Sequence, residues 1–459
     1  MNLHPQASPA PGLLAQSFVQ VRAQSLHLAA PLSAEDCQAQ SMPDASPVKW
    51  HLAHVTWFFE TFVLARFEPG FKAFNPAFKV LFNSYYNTVG DKHPRAQRGL
   101  LTRPSLAEVL RWRESVDERI LQLLALPHNG EVASLVGLGL QHEQQHQELL
   151  LTDVKHLLFC SGLRPVYRKA WPLAQVTPVA MAWLDFEGGL RDIGHAGDSF
   201  AFDNELPRHP QHQRPYALAN RLVTHGEWLE FMHDGAYQDA QWWLSAGWDW
   251  VRANQVTAPL YWTQPEAAVN GVRVANAANA AKAAGQTRGE WHSFTLHGEV
   301  PIDPHTPITH ISYFEADAFA RWKSANFETC KGARLPTEFE WEAAVAPHEA
   351  ALRSAGNFVE SAALHPMPVA RVPRDLAGGL MQALGDVWEW TSSSYQAYPG
   401  YQAWAGAVGE YNGKFMVNQY VLRGGSCATP ASHIRASYRN FFPTDARWQF
   451  SGLRLARDQ

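Results

Sequence analysis

The stretch His142-Glu143-Gln144-Gln145-His146 carries the residue types and spacing best suited to chemistry in this chain. On an α-helix, two imidazoles four residues apart share one face, about one turn apart, where both can reach one metal ion. The same residues fit an H-E-x-x-H pattern, in which the Glu acts as general base beside a bound zinc. Two histidines at this spacing favour a metal over a pair of core side chains, but they leave the reaction open. A zinc hydrolase needs a third ligand downstream, and the chain offers only His156, ten residues on along the same helix, before Cys160. An extended pattern with Gly three residues after the second His fails, because Leu149 stands there. A better third ligand lies upstream, where His51 and His54 are three residues apart. Three neutral imidazoles with open positions suit a divalent ion that must also bind substrate or oxygen, iron(II) as well as zinc.

These residues need helices to hold them. His142 and His146 fall on the apolar face of a helix running through Leu135, Leu138, Leu149 and Leu157, after a break at Asn129-Gly130. Trp50, His51, His54, Trp57, Phe58 and Phe62 mark an earlier helix after the Pro43 to Pro47 loop. Ser105-Leu106-Ala107-Glu108 is a capping box that opens a third helix through Val109, Leu110, Val116, Ile120, Leu123 and Leu124. One more helix near residues 12 to 40 completes a four-helix bundle, a fold that places metal sites between facing helices.

The pattern changes after Cys160. Residues 161 to 180 hold Pro165, Pro172 and Pro178 and form a strap; beyond it short apolar runs alternate with Gly, Pro and Asn. Only short helices are legible there, Tyr313 to Ser324 and Thr337 to Ala346. The expectation is an α+β chain of two domains, a helical metal-binding domain over 1–165 and a domain with little regular secondary structure over 166–459. No G-x-G-x-x-G or phosphate-binding loop opens a helix, which argues against a nucleotide cofactor.

Composition narrows the partners. A net charge of -5 argues against nucleic acid or an anionic membrane. The four cysteines, Cys37, Cys160, Cys330 and Cys427, show no C-x-x-C spacing, which fits a reducing compartment without a disulfide framework. The N-terminus lacks a basic stretch followed by an apolar run, and no segment approaches 18 uninterrupted apolar residues. A cytoplasmic protein without signal or anchor is expected.

The histidines and several later phrases together resemble a known family. Trp50-His51-Leu52-Ala53-His54 and the His142–His146 stretch are similar to the three-histidine site of the ergothioneine-type sulfoxide synthases. The phrases Arg334-Leu335-Pro336-Thr337-Glu338, Gly385-Asp386-Val387-Trp388-Glu389-Trp390, Arg423-Gly424-Gly425-Ser426 and Ser451-Gly452-Leu453-Arg454 follow in the family's order. The resemblance covers nearly the whole chain. It implies a DinB-like four-helix bundle followed by a formylglycine-generating-enzyme-like domain. It also implies non-haem Fe(II), O2, and a thiol joined to imidazole C2 of hercynine (trimethylhistidine). A close relative, selenoneine synthase, uses a selenosugar donor instead.

The family pattern puts the metal on His54, His142 and His146, with Gln145 reaching the substrate imidazole. Asn440 matches the Asn beside the trimethylammonium group. Phe441 offers an aromatic face for cation–π attraction to it. Phe442 stands where γ-glutamylcysteine-using members have Asp, which favours cysteine or another sulfur or selenium donor. Tyr85 and Tyr86 resemble the tyrosine pair of the cysteine-using branch, a phenol that supplies a proton. Cys330 and Cys427 do not reproduce the cysteine pair of formylglycine-generating enzymes, which disfavours aldehyde formation. The competing readings are a zinc hydrolase on the His142–His146 motif and a non-catalytic binding protein with a structural histidine cluster.

Overall fold

The computed structural model describes residues 11–127, 130–169, 176–264, 290–369 and 379–459. Asn129 of the expected helix break and residues 170–175 of the strap lie outside them. The chain divides into two compact units. The first comprises Met1–Leu157 with two later segments, Ala196–Leu206 and Gly400–Lys414.

Four long helices build the first unit: α1 (Pro11–Ala29), α2 (Val48–Phe59), α3 (Leu106–Ala125) and α4 (Gly130–Cys160). The helix expected near residues 12 to 40 is broken. Pro31 cannot continue the ladder, and Ser33 caps a separate short helix, Ala34–Gln38, through a capping box with Asp36. In α2 every residue is buried, as expected of a helix in a bundle centre. It runs on through a π-helical turn, Glu60–Leu64. Two of its polar side chains bond to backbone carbonyls: Thr56 Oγ1 donates to Leu52 O (2.8 Å) and Trp57 Nε1 to Lys79 O (3.0 Å). Helices α2 and α4 approach closely at Gly139, one turn before His142, where a Cβ would lie 2.5 Å from the Phe59 ring. Polar contacts join the two later segments to each other and to the loop at Asn87 and Thr88. Asp203 accepts from Asn412 Nδ2 (2.6 Å) and the Tyr401 hydroxyl (3.2 Å). Glu410 accepts from the backbone of Asn87 and Thr88 (3.1 and 3.0 Å).

The second unit holds short sheets and short helices. One four-stranded sheet orders Trp183–Phe186, Tyr216–Ala219, Ala456–Asp458 and Ala333–Arg334, with antiparallel neighbours. Another orders Asn440–Pro443, Gln419–Arg423, Trp388–Ser394 and Ser451–Gly452. The recurring phrases become buried ion pairs. Glu338 takes Arg423 (2.7 Å) and Arg439 (2.8 Å), and Glu389 takes Arg454 (2.9 Å). Gly424 is obligatory: its φ is +101°, and a Cβ would lie 2.6 Å from Ala383 O. Helices form at Tyr313–Asn326 and Glu338–Val345 as expected. Two others, His225–His233 and Ser245–Asn254, were not foreseen, although Thr224 and Glu227 form a capping box at the first. Among the described residues no helix is long and apolar enough to cross a membrane.

Candidate metal centre

Helices α2 and α4 bring three imidazoles together. Ligand atoms of His54, His142 and His146 all lie within 4.8 Å of one another, the one such group among the described residues. His54 and His142 are buried, and His146 is half-buried. The rings pack edge-on, with centroids 5.0 Å apart for His54–His142 and 4.6 Å for His142–His146.

Aromatic neighbours hold the rings of His54 and His142. His54 lies between Trp50 (4.6 Å, 12°) and Trp57 (5.4 Å, 13°). Its Nδ1 donates to Phe82 O at 2.6 Å, leaving Nε2 as the free lone pair. Arg98 caps the stack, 3.4 Å over the Trp50 ring, and donates to Ser46 Oγ and Ser84 Oγ. Burial pushes this guanidinium down to about 9. His142 packs on Phe58 at 5.1 Å, and its buried Nδ1 has no hydrogen-bond partner. An unpaired buried nitrogen is costly, and a metal ion would satisfy it. The donor set therefore fits a divalent metal.

Glu143 is turned to the other side. It is fully buried and paired with Arg22 of α1 (2.9 Å) and Arg113 of α3, and it accepts from Ser25 Oγ (2.6 Å). Burial would raise this carboxyl, but Arg113 and Arg22 outweigh it and hold it at about 2. Arg22 also pairs with Asp117 at 2.6 Å, so two cations face two anions. Neither Arg22 nor Arg113 was singled out from the sequence.

The other expected site residues are distributed as follows. Gln145 is half-buried on α4, one residue before His146. Tyr86 is buried, its ring 5.4 Å from Trp57 and 5.3 Å from Phe62. The Tyr85 hydroxyl accepts from Arg95 Nη1 (2.9 Å), and its ring meets Tyr411 at 5.9 Å. Asn83, also missed, donates to the carbonyls of Tyr86, Gly90 and Asp91 and so pins the loop that carries both tyrosines. Asn440, Phe441 and Phe442 belong to the second unit, half-buried on one strand. Phe441 stacks on Tyr395 at 4.0 Å and 13°, so one ring face is already covered.

The imidazoles also set an acid limit. Burial, then the charge of His142, keeps His54 and His146 well below the ordinary imidazole value; burial takes His142 to about 4 against the pull of Glu143. Below about pH 6.5 the unfolded chain therefore binds protons that the metal-free fold does not, and stability falls as pH drops from there through the folded values. The metal-free protein should melt several degrees lower at about pH 5 than at about pH 7. Thermal denaturation across that range checks it. A flat melting temperature would mean that these rings titrate as they do in the unfolded chain.

Comparison with known proteins bears on this site. Residues 180–459 match the sulfatase-modifying factor enzyme 1-like domain, and residues 17–150 match the DinB superfamily. The chain is 32% identical to a hercynine oxygenase of Mycolicibacterium thermoresistibile, over 97% of this chain and 94% of that one. It is 31% identical to a hercynine oxygenase of Mycobacterium tuberculosis, over 98% and 99%. A formylglycine-generating enzyme of Streptomyces coelicolor is 27% identical over 59% of this chain and 87% of its own length.

Proposed function

We propose, from the premise that this chain belongs to the family of the hercynine oxygenases, that it joins a thiol to the imidazole C2 of hercynine with iron(II) and O2. The C2–H and S–H bonds are lost and a C–S bond forms. One oxygen atom becomes the sulfoxide and the other leaves as water. The observation that carries the reading is the convergence of His54, His142 and His146 with His142 Nδ1 unpaired. The ion pairs of Glu143 count against the zinc hydrolase, because a carboxylate held by two guanidiniums is a poor base.

His54, His142 and His146 hold the iron as neutral ligands. When bound, iron(II) supplies the redox chemistry that O2 activation requires. Gln145 orients the substrate imidazole, and Asn440 with Phe441 takes the trimethylammonium group. Phe442, which lacks the carboxylate of the γ-glutamylcysteine-using members, points to a cysteine-like donor; a selenosugar at the same site is the alternative. The proposed organisation keeps residues 1–165 as the metal-binding domain and 166–459 as the substrate-binding domain. Tyr86 is the favoured proton donor. Burial first, then Tyr411 and Glu410, raises its phenol above the ordinary value, so it holds its proton until a stronger base forms in the site.

The test is anaerobic iron loading, then mass spectrometry after exposure to air with hercynine and cysteine, γ-glutamylcysteine or a selenosugar. A hercynine–cysteine sulfoxide is expected; no coupled product from any donor sinks the reading. In Tyr86→Phe the ring's packing survives and the acidic hydrogen is lost. Turnover should then shift toward the sulfinic acid, formed when both oxygen atoms go to the thiol. Each ~1.4 kcal/mol lost on the coupling branch moves the product ratio tenfold. Unchanged ratios in both Tyr86→Phe and Tyr85→Phe would return the pair to packing roles.

A further inference from the structure

Asp153 lies seven residues after His146 on α4, two turns on and on the same face. Its Oδ2 accepts from the Ser46 backbone N–H at 2.7 Å, just ahead of α2, and stands 3.0 Å from His51 Nε2. The opposite ring nitrogen, His51 Nδ1, is 2.8 Å from His146 Nδ1. All three side chains line the contact between α2 and α4, and Asp153 and His51 are both buried.

The protons along this line are constrained by chemistry. A carboxylate only accepts, so the hydrogen between Asp153 and His51 belongs to Nε2 of His51. Neutral His51 then offers a bare Nδ1, and His146 must donate its own Nδ1–H to it. The Nε2 of His146 is left bare. The reverse order would put a hydrogen on His146 Nε2 and close that nitrogen to a metal. His54 reaches the same state by donating Nδ1–H to Phe82 O.

We propose that Asp153 and His51 are positioning residues that hold His146 in its Nδ1–H tautomer and present Nε2 to the metal. The proposal rests on the metal-site reading above. It also gives His51 a role distinct from that of a ligand, although His51 and His54 leave the same helix three residues apart. Outer-sphere partners of this kind orient a ligand ring and raise its basicity, and losing one typically weakens metal binding about 10- to 100-fold.

The experiment measures iron(II) affinity anaerobically, by chelator competition, in wild type, His51→Phe, His51→Gln and His54→Ala. His51→Phe keeps a ring but accepts nothing; binding about 10- to 100-fold weaker than wild type is expected. His51→Gln retains an acceptor oxygen for His146 Nδ1–H and should recover part of the loss. His51→Phe within twofold of wild type overturns the relay. So does a loss as complete as in His54→Ala, which would make His51 a ligand. A His54→Ala variant that binds like wild type would instead overturn the metal-site reading. Independently of whether any variant folds, long-range proton–nitrogen spectra of the zinc-loaded wild type with labelled histidine read the tautomer. His146 should show Nδ1–H and a metal-bound Nε2, and a metal-bound Nδ1 would overturn the proposal.

Discussion

His54→Ala, His142→Ala and His146→Ala should each weaken iron(II) binding by more than about 100-fold, beyond the range typical of losing an outer-sphere partner, and abolish turnover. The geometry sets the size of the effect. Three ligand atoms lie within 4.8 Å of one another, so removing any one leaves two neutral nitrogens for the ion. Metal binding to the folded state alone adds about 2.7 kcal/mol at a hundredfold excess over Kd. For a unit of this size that corresponds to a rise of roughly 5–11 °C in melting temperature. Wild type should show that rise with iron(II), and the three variants should show almost none. The metal-free variants should still unfold cooperatively. An undiminished rise in His54→Ala would move the third ligand elsewhere, with His51 the nearest imidazole on α2.

What could be read from the sequence was what local geometry dictates. The i, i+4 spacing of His142 and His146 needs only a helix, and the leucines around them supply one. The residues alone left His51 and His54 open, since both project from α2 toward the same neighbour helix. What separates them is out of local reach: the Phe82 carbonyl for one and Asp153 for the other. The setting of Glu143 was illegible for the same reason, as Arg22 comes from 121 residues away. The second half was harder still. Ser451–Gly452 and Ala333–Arg334 are strands of two residues, too short for an alternating pattern to register. The phrases around Glu338, Arg423, Glu389 and Arg454 stood out as a pattern, but only the fold shows that they are paired buried charges.

Glu143→Gln separates the two readings of the central motif, because each expects the damage in a different quantity. In a zinc hydrolase the carboxylate is the general base, and its amide would cut turnover several hundredfold without touching stability. Here it balances charge. Arg22 and Arg113 face Glu143 and Asp117 in the core of the bundle, so removing one negative charge leaves a buried guanidinium without a counter-charge. Breaking a buried ion pair costs about 3–5 kcal/mol, and the retained amide oxygen favours the lower end. A loss of about 3 kcal/mol lowers the melting temperature by roughly 6–12 °C. Turnover per iron-loaded molecule should stay within about threefold of wild type, since the altered group faces α1 and α3. The charge count also gives a sign test. Glu143→Gln combined with Arg113→Met leaves Arg22 and Asp117 as one neutral pair, so the double variant should be more stable than Glu143→Gln alone. A coupling of about 0.5–3 kcal/mol is expected for residues in such contact. Additive losses would reject the charge-balance role, and a collapse of turnover with unchanged melting would restore Glu143 as a catalytic base.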